Sequence, residues 1–587
     1  MTTLRPDVYE FGDFRLDAAK RLLSRRTGGM VPLTARVFDT LLYLVQNSGT
    51  VLDKRSLMEA IWPDSIVEEN NLNQSISSLR RSLGESPASH RYIVTVPGRG
   101  YRFVAEVKAP PALPSSSSSA RIRSVAVLPF KPLVLENRDA FLEMGMADTM
   151  IAKLSGIRDV VVRPLSSVRK YVDLEQEPLA AGRELGVESV LDGSIQKSGD
   201  AIRVTARLMN VTNGESIWSG TFNEKFTGIF AVQDAISERI VSALALRLSG
   251  EEKARLTKRD TKNTEAYRLY LKGRYYWWKT TPDSFAKSCD YFQRAVEADP
   301  FFALGYCGLN SYYGFGSAWG MLPPDENWPK AEAAITKALH LDDTLAQAHT
   351  GLAAHRLVCR RDWNGAEQAV KQAIELDPSF DEAHYLYSFY LLVMQRVDEA
   401  IAEGEHALEL DPFSLRIYQH LGNIHYHARR YDEAIVHYRQ ALELEPSNAQ
   451  VHESLGDALE RNGLPDDAVA QWEKGLTLAG DNELAAVLGR SHNDGGFTRA
   501  VRAVAKTRLE RLKARTERGN HVLAIDYARA YVRLGDKKHA LHWLLKACDE
   551  CNVFALLIAI DPFYDRLRKD VRFTAIRKKV GLPKSLN

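Results

Sequence analysis

The feature that most constrains the fold of this 587-residue chain is a period of 34 residues in its second half. An acidic residue followed by proline recurs at this spacing at Pro378, Pro412 and Pro446. Small residues keep the same register in three series: Ala366, Ala400, Ala434 and Ala468; Ala373, Ala407, Ala441 and Gly475; Ala354, Ser388, Gly422 and Gly456. Small side chains let helices cross closely and proline ends a helix, so each period predicts one pair of helices.

This period and pattern are those of the tetratricopeptide repeat, which residues 263–480 resemble. Looser units precede the regular ones and end at Asp299-Pro300 and Asp342-Asp343, and another follows near residues 527–547. We expect a right-handed solenoid of about six to eight units. Residues 481–587 are predicted to be degenerate repeat-like helices.

The resemblance also implies a binding surface, because the first helix of each unit in this family lines a concave groove. A mixed polar and aromatic lining suits a protein or peptide partner. The groove residues identified by register are Tyr385, Phe389, Arg416, Gln419, Asn423, Tyr426, His427, Glu453, Asp457 and Arg461. A groove that only stabilises the fold or self-associates is the alternative.

A second constraint is an amphipathic segment near the amino end. Its apolar residues are spaced four, three and four apart: Leu72, Ile76, Leu79 and Leu83. This spacing predicts a helix with one apolar stripe. The other face carries amide, hydroxyl and guanidinium groups, which bind base edges and phosphates. Two strand-like runs follow and flank the turn Pro97-Gly98-Arg99-Gly100, so a winged helix that binds duplex DNA is predicted.

Residues 1–108 resemble the OmpR/PhoB-type effector domain, which CadC- and ToxR-like regulators also contain. The ending TVPGRGYRF matches the family's wing, and Leu79-Arg80-Arg81 followed by Leu83-Gly84 matches the end of its recognition helix. The resemblance implies a helix in the major groove and a wing at the minor groove. It implies these DNA-contacting residues: Trp62, Asn70, Asn71, Asn73, Gln74, Ser77, Ser78, Arg80, Arg81, Thr95 and Arg99. An ordinary solvated helix face is the alternative.

Between these regions lie a linker and a further domain. Residues 109–121 combine prolines with five consecutive serines, which is the composition of a linker. Residues 122–255 read as βαβα followed by strands and a helix, which predicts a small α/β domain. This order, with VAVLPF, LGVESVLDGSI and GESIWSG, resembles the TolB N-terminal-like domain. Candidates for a ligand crevice are Gly145, Asp148, Asp192 and Trp218, although packing and turn roles are the favoured interpretation.

Composition bounds the chemistry. The five scattered cysteines do not form a disulfide framework, and we interpret Cys548 and Cys551 as two helix cysteines rather than a redox pair or half a zinc site. The sequence contains no phosphate-binding loop or catalytic motif, so we expect no enzyme activity and no cofactor. The apolar run Val553–Ile560 is far shorter than the about 20 residues of a membrane span, so a cytoplasmic protein is predicted.

Together these patterns predict a multidomain protein of α+β and all-α domains, with a winged helix, a small central α/β domain and a tetratricopeptide α-solenoid. We expect a one-component transcriptional regulator, without a receiver domain, that binds double-stranded DNA and is controlled by a protein partner of the repeats. RNA polymerase is a further candidate partner, and a homodimer is open. The alternatives are a repeat scaffold or adaptor whose winged helix does not read DNA, and a small-molecule sensor acting through the α/β domain.

Overall fold

The computed structural model contains two compact units, Met1–Arg121 and Ile122–Asn587. It describes residues 8–18, 22–25, 30–31, 33, 35–61, 69–85, 91–96, 98–108, 124–132, 139–157, 160–172, 177–199, 201–225, 229–243, 250, 258, 260–279 and 281–582. The predicted linker therefore lies outside the described residues. No helix in the described ranges is long and apolar enough to cross a membrane.

The first unit is a winged helix. Its elements are β1 (Val8–Phe11), β2 (Phe14–Asp17), β3 (Leu22–Arg25), β4 (Met30–Val31), α1 (Ala35–Gln46), β5 (Val51–Leu52), α2 (Lys54–Ile61), α3 (Glu69–Ser82), β6 (Ile93–Val96), β7 (Gly100–Phe103) and β8 (Val107–Lys108). One sheet has the strand order β4-β3-β2-β1-β8, and a second has the order β5-β7-β6. All the pairings in both sheets are antiparallel.

The core of this unit lies between the three helices and the two sheets. The apolar stripe predicted for this segment is confirmed, because Leu72, Ile76 and Leu79 of α3 and Leu83 just after its end are at most 4% exposed. Phe11 and Phe103 join the two sheets through an edge-to-face contact with ring centroids 5.0 Å apart. Burial of such side chains stabilises the fold by about 25 cal/mol per Å² of apolar surface removed from water.

The central domain opens the second unit. Its elements are β9 (Ser124–Val127), β10 (Lys131–Pro132), α4 (Ala140–Ser155), β11 (Val161–Val162), α5 (Leu165–Val168), a 3₁₀ turn (Arg169–Val172), α6 (Pro178–Glu184), β12 (Ser189–Ser198), β13 (Ala201–Asn210), β14 (Ser216–Lys225) and α7 (Ile229–Ala243). The sheet order is β11-β9-β12-β13-β14, with β10 beside β12. Strand β9 is parallel to β11 and β12, whereas β12, β13 and β14 form an antiparallel meander. The predicted α/β architecture is confirmed, and the resemblance to TolB stays a prediction.

Helix pairs follow in the order that the period predicts. They are Thr264–Trp278 and Pro282–Ala298, Ala303–Ala318 and Pro324–Leu341, Ala346–His355 and Trp363–Leu376, Asp381–Val393 and Val397–Leu410, Leu415–His427 and Tyr431–Leu444, Ala449–Arg461 and Pro465–Leu478. The small residues lie at the crossings: a Cβ on Gly422 would lie 2.5 Å from the ring of Tyr438. The close packing inferred from the small-residue register is therefore confirmed.

The carboxyl-terminal region departs from this regularity. Its elements are a long helix (Asn482–Glu517), Ala524–Leu534, Lys537–Ala547, Val553–Leu557, a 3₁₀ turn (Pro562–Leu567) and Val571–Val580. The long helix is interrupted at Gly495 and Gly496, where the backbone is not helical. Residues 523–582 then share one hydrophobic core with repeat residues between 318 and 424. The chain therefore returns onto its own earlier repeats.

The interpretation of Cys548 and Cys551 as two cysteines of one helix is wrong. The helix Lys537–Ala547 ends before them, and Cys548 is its C-cap. The next helix starts only after Asn552, whose side chain accepts a hydrogen bond from the amide of Ala555. No residue type marks this break, because the residues between the two cysteines, Asp549 and Glu550, are neither proline nor glycine.

Candidate nucleic-acid interface

The surface of α3 opposite its buried stripe is exposed. Because side chains three and four positions apart share a helix face, burying one stripe leaves the polar residues on the other side. Five of the predicted DNA-contacting residues are exposed on this helix: Asn71, Gln74, Ser77, Ser78 and Arg81. The face offers amide, hydroxyl and guanidinium groups with both donors and acceptors.

Arg80, by contrast, turns towards the wing. Its Nη2 atom donates to the carbonyl of Ile93 at 3.0 Å and to Oγ1 of Thr95 at 2.8 Å. Its Nε lies 3.7 Å from the carboxylate of Glu85, whose side chain is fully buried. The same carboxylate accepts hydrogen bonds from the amides of Tyr92 and Ile93. Arg80 therefore holds α3 and β6 together in addition to any contact with DNA.

A second contact joins α3 to the wing. The hydroxyl of Tyr101 in β7 donates to Oδ1 of Asn73 at 2.8 Å. Thr95 lies directly opposite Tyr101 across the hairpin, and its side chain is on the exposed surface. Asn73 is half-buried. Because its Oδ1 accepts from Tyr101, its Nδ2 group is the part that can face a groove.

The wing is the hairpin of β6 and β7, with Val96 paired to Gly100. Arg99 lies at its exposed tip, and its amide donates to the carbonyl of Val96 at 3.0 Å. Gly100 has a φ of +138°, and a Cβ at this position would lie 2.0 Å from the carbonyl oxygen of Leu52. Only glycine fits this close approach to β5, which fixes the base of the wing.

Two predicted contacts cannot be placed in this interface. Trp62 lies outside the described residues, as does the side chain of Asn70. The remaining nine residues lie on α3 or on the wing. The side chains of Arg80 and Asn73 join these two elements by hydrogen bonds. The arrangement presents a polar helix face beside an arginine-tipped loop, which fits the grooves of a nucleic-acid duplex.

Comparison with known families agrees with this geometry. A family model described as "Transcriptional regulatory protein, C terminal" matches residues 28–103. Residues 28–103 are an OmpR/PhoB-type DNA-binding domain. Two further family models, "Tetratricopeptide repeat" and "TPR repeat", match residues 352–414 and 430–463. The chain therefore combines an OmpR/PhoB-type domain with tetratricopeptide repeats.

Relatives that match parts of the chain include two transcriptional regulators. The transcriptional regulator HilA of Salmonella typhimurium is 23% identical over 412 residues, 69% of this chain and 70% of HilA. The transcriptional activator CadC of Escherichia coli is 34% identical over 156 residues, 23% of this chain and 30% of CadC. A Rhizobium meliloti protein with the provisional name adenylate cyclase 3 is 29% identical over 246 residues. That match spans 42% of this chain and 41% of that protein.

Two solved structures are also similar. The DNA-binding domain of E. coli CadC is 36% identical and covers 18% of this chain and 98% of its own, with a TM-score of 0.17. YrrB, described as a TPR protein with an unusual peptide-binding site, is 19% identical and covers 34% of this chain and 97% of its own, with a TM-score of 0.24.

The predicted groove residues of the repeats fall into two sets. In the first, Arg416 lies over the ring of Tyr385, 4.5 Å from its centroid, and its guanidinium is 3.4 Å from Asp381. Phe389 and Tyr385 both contact the ring of His420. These side chains of two successive first helices are thus brought together, and their role in binding a partner stays a prediction. Gln419 lies on the same helix as Arg416 and is partly exposed.

The second set contacts the chain's own carboxyl-terminal region. Arg533 lies 3.7 Å from Asp457 and also pairs with Glu460, and Arg508 lies 3.2 Å from Glu453. The remaining residues of this set, Asn423, Tyr426 and His427, lie on the preceding first helix, where the side chain of His427 hydrogen-bonds to the carbonyl of Asn423 at 2.7 Å.

Phe563 is the anchor of this region. Its ring is 6% exposed and lies beneath the guanidinium groups of Arg461, Arg529 and Arg533, at 5.8, 5.4 and 4.7 Å from the ring centroid. An ion pair of 2.8 Å joins Arg429 to Asp565 beside it. Residues 562–567 therefore occupy part of the surface where the sequence predicted a partner.

The central domain is attached to the repeats through acidic residues at the ends of successive repeats. Asp377 accepts from the hydroxyl of Ser155 at 2.9 Å, and the buried Asp411 accepts from Ser166 and Ser167. Asp299 and Asp342 accept from Thr261 and Lys258 in the segment between the central domain and the repeats. The candidate residues predicted from the sequence do not include these acids, although Asp299, Asp377 and Asp411 each precede a proline at the end of a repeat.

The four candidates for a ligand crevice make packing contacts instead. A Cβ on Gly145 would lie 2.4 Å from Leu271, and Asp148 pairs with Arg274 at 3.0 Å, so both face the first repeat helix. Asp192 lies 3.5 Å from Arg207 of the neighbouring strand β13, and burial raises its pKa. Trp218 lies against Gly220. Their arrangement agrees with the favoured packing interpretation.

Proposed function

We propose that this protein is a cytoplasmic transcriptional regulator that binds specific double-stranded DNA sequences. In this proposal α3 enters the major groove and the wing contacts the neighbouring minor groove. The observation that carries it is the exposed polar face of α3 beside the exposed Arg99, with both elements braced by Arg80. The match to an OmpR/PhoB-type domain supports this proposal, as do the similarities to the transcriptional regulators HilA and CadC.

The contacts divide into two kinds. Ser77 and Arg81 lie four positions apart on the exposed face of α3, so both can reach base edges, where arginine pairs with guanine through two hydrogen bonds. Thr95 and Arg99 of the wing would contact the sugar–phosphate backbone and the minor groove. Base contacts would determine sequence preference, and backbone contacts would determine register and salt dependence.

The test compares Arg81→Ala and Arg99→Ala with the wild type in the full chain. Replacing an arginine that neutralises one phosphate should lower the slope of log Kd against log salt by about 0.9. Arg81→Ala should also reduce the preference for one base pair, because the discrimination against the wrong base falls by about 1–3 kcal/mol. Arg25→Ala is the matched control, because Arg25 is an exposed arginine of the amino-terminal sheet. Equal affinities and equal slopes for all four proteins would contradict the assignment.

We further propose that a protein partner acts through the repeats. A partner segment that binds near Arg416 and Gln419 would compete with residues 562–567 for the adjoining surface. Release of that region would change how the winged helices are presented to DNA. Two copies on neighbouring half-sites would then gain affinity through avidity. This proposal includes RNA polymerase as a candidate partner and a homodimer as the form that binds two half-sites.

A site-specific photo-crosslinker at Gln419 tests the partner proposal. Phe563→Ala removes the anchor of the competing segment, so crosslinking of a partner at Gln419 should increase. Phe301→Ala is the control, because Phe301 is 75% exposed and its removal disturbs little packing. Equal crosslinking in the wild type and both variants would contradict competition on this surface.

We propose no catalytic role. The matching family models describe a DNA-binding domain and repeats. The protein with a cyclase name shares 41% of its own length with this chain. An assay for conversion of ATP to cyclic AMP by the purified chain should give no product, and product formation would contradict the proposal.

A further inference from the structure

Two cysteines far apart in sequence meet where the carboxyl-terminal region contacts the repeats. The Sγ atoms of Cys359 and Cys551 lie 2.7 Å apart, although 192 positions separate them in the chain. Cys359 belongs to the π-helical turn Arg356–Arg360, which ends at Arg361 in the left-handed region. Cys551 lies in the short connection before the helix Val553–Leu557. The contact therefore joins a repeat to the segment that returns onto it.

Neighbouring hydrogen bonds hold this junction together. Nε1 of Trp328 donates to the carbonyl of Cys551 at 2.7 Å. The guanidinium of Arg361 donates to the carbonyls of Cys548 and Lys579. Because these contacts fix the backbone on both sides, the two thiols meet without a rearrangement of the chain.

The other cysteines do not share this geometry. Cys548 is buried at 2% exposure, and its Sγ lies 3.9 Å from the carbonyl of Ile576. Cys307 is also buried, whereas Cys289 lies 3.7 Å from the hydroxyl of Tyr313. Cys359 and Cys551 are both partly exposed, so a small reagent can reach them.

The two thiols also differ in acidity. A hydrogen bond from Cys359, helped by the positive charge of Arg361, lowers the pKa of Cys551. The interaction with Cys551, together with burial, raises the pKa of Cys359. Cys551 is therefore the thiol that ionises first and the nucleophile of the pair, because the thiolate is the reactive form.

We propose that Cys359 and Cys551 form a reversible disulfide when a low-molecular-weight disulfide oxidises them, and that this bond fixes the carboxyl-terminal region to the repeats. The Cys551 thiolate attacks one sulfur of the small disulfide, which releases one small thiolate and leaves a mixed disulfide. Cys359 loses its proton and attacks the Cys551 sulfur, which releases the second small thiolate. Two protein thiols are oxidised, and one small disulfide is reduced to two thiols.

The consequence follows from the position of the bond. It closes a loop that contains the later repeats and the following helices as far as Lys537–Ala547, so it restricts the unfolded chain and raises thermal stability. Cys551 lies eleven residues before Pro562. Oxidation would therefore disfavour release of residues 562–567 from Arg461 and Arg533. The disulfide itself does not depend on the proposed DNA or partner binding.

The test uses the full chain treated with graded ratios of oxidised to reduced glutathione. A digest at lysine and arginine yields Leu357–Arg360 with Cys359, whereas Ala547–Arg566 contains both Cys548 and Cys551. Cys548→Ser therefore makes the assignment unique. We expect a cross-linked pair of these peptides in the wild type and in Cys548→Ser, with a rise in the melting temperature that a reductant reverses.

Controls separate the pair from other thiol chemistry. Cys289→Ser should leave both the cross-link and the melting shift unchanged, and Cys359→Ser should abolish both. If Cys359→Ser fails to fold, alkylation mapping of the wild type gives the same answer, because both thiols should lose reactivity together. Stable glutathione adducts on Cys551 without a cross-link, a Cys548–Cys551 cross-link, or two thiols that stay reduced would each overturn the proposal.

Discussion

Two neighbouring arginines on α3 should affect different properties when each is replaced by alanine: Arg80 the stability of the first unit, and Arg81 the binding of DNA. Arg80→Ala removes the two hydrogen bonds of 3.0 and 2.8 Å that reach β6, and it leaves the fully buried carboxylate of Glu85 without its nearest cation. A hydrogen bond from a charged donor contributes about 1.5–3 kcal/mol, so a loss of about 2–4 kcal/mol is expected. Arg81 is exposed, and Arg81→Ala should change stability by less than about 0.5 kcal/mol.

The assay is urea unfolding of a fragment spanning the first unit, residues 1–121, with DNA binding measured separately in the full chain. Arg80→Ala should lower the midpoint strongly, and its melting temperature should fall by about 4–8 °C per kcal/mol. Arg81→Ala should keep the wild-type midpoint but bind DNA more weakly by about 1–3 kcal/mol. Equal stability of the two variants would refute the bracing role of Arg80, and a destabilised Arg81→Ala would refute its placement on the free face.

Three further results are expected. Gly100→Ala should prevent the wing from forming, because the new Cβ would collide with the carbonyl oxygen of Leu52. Gly98→Ala, at a φ of +71° in open space, should lower the free energy of unfolding by only about 1–2 kcal/mol. The midpoints of urea unfolding of the two variants test this difference. Asp411→Ala should speed hydrogen exchange in residues 160–172, whereas Glu445→Ala, one period later and exposed, should not. Burial lowers the pKa of His420 to about 3, so its neutral form stabilises the repeats above pH 6.5. That stability falls by about 1.4 kcal/mol per pH unit as the pH drops from 6.5 towards 3. In His420→Asn the melting temperature should therefore depend less on pH over this range than in the wild type.

The sequence predicts most of the architecture because its patterns report local rules. The 34-residue period and the α3 stripe each follow from helix geometry, and the structure confirms both. The order of the three long strands of the central domain follows from turn residues, and the structure has them as consecutive antiparallel neighbours. These features depend on contacts between residues close in sequence, which periodicity can reveal.

The features that the sequence does not reveal depend on contacts over long separations. Arg80 looks like any arginine of the polar face until β6 is placed beside it. Phe563 and Arg461 meet only because the carboxyl-terminal region returns onto the repeats, and no period encodes that return. The same holds for Cys359 and Cys551, which meet although 192 positions separate them in the chain. Tertiary packing decided each of these cases.

Selection of bound sequences from random duplex DNA tests DNA recognition most directly. The wild-type chain and Arg81→Ala would be carried through the same selection at one salt concentration. The account predicts an enriched motif for the wild type, with a loss of preference confined to one or two base pairs in the variant. No enrichment for the wild type, or the same motif with the same preference in both proteins, would contradict recognition of DNA by this face of α3.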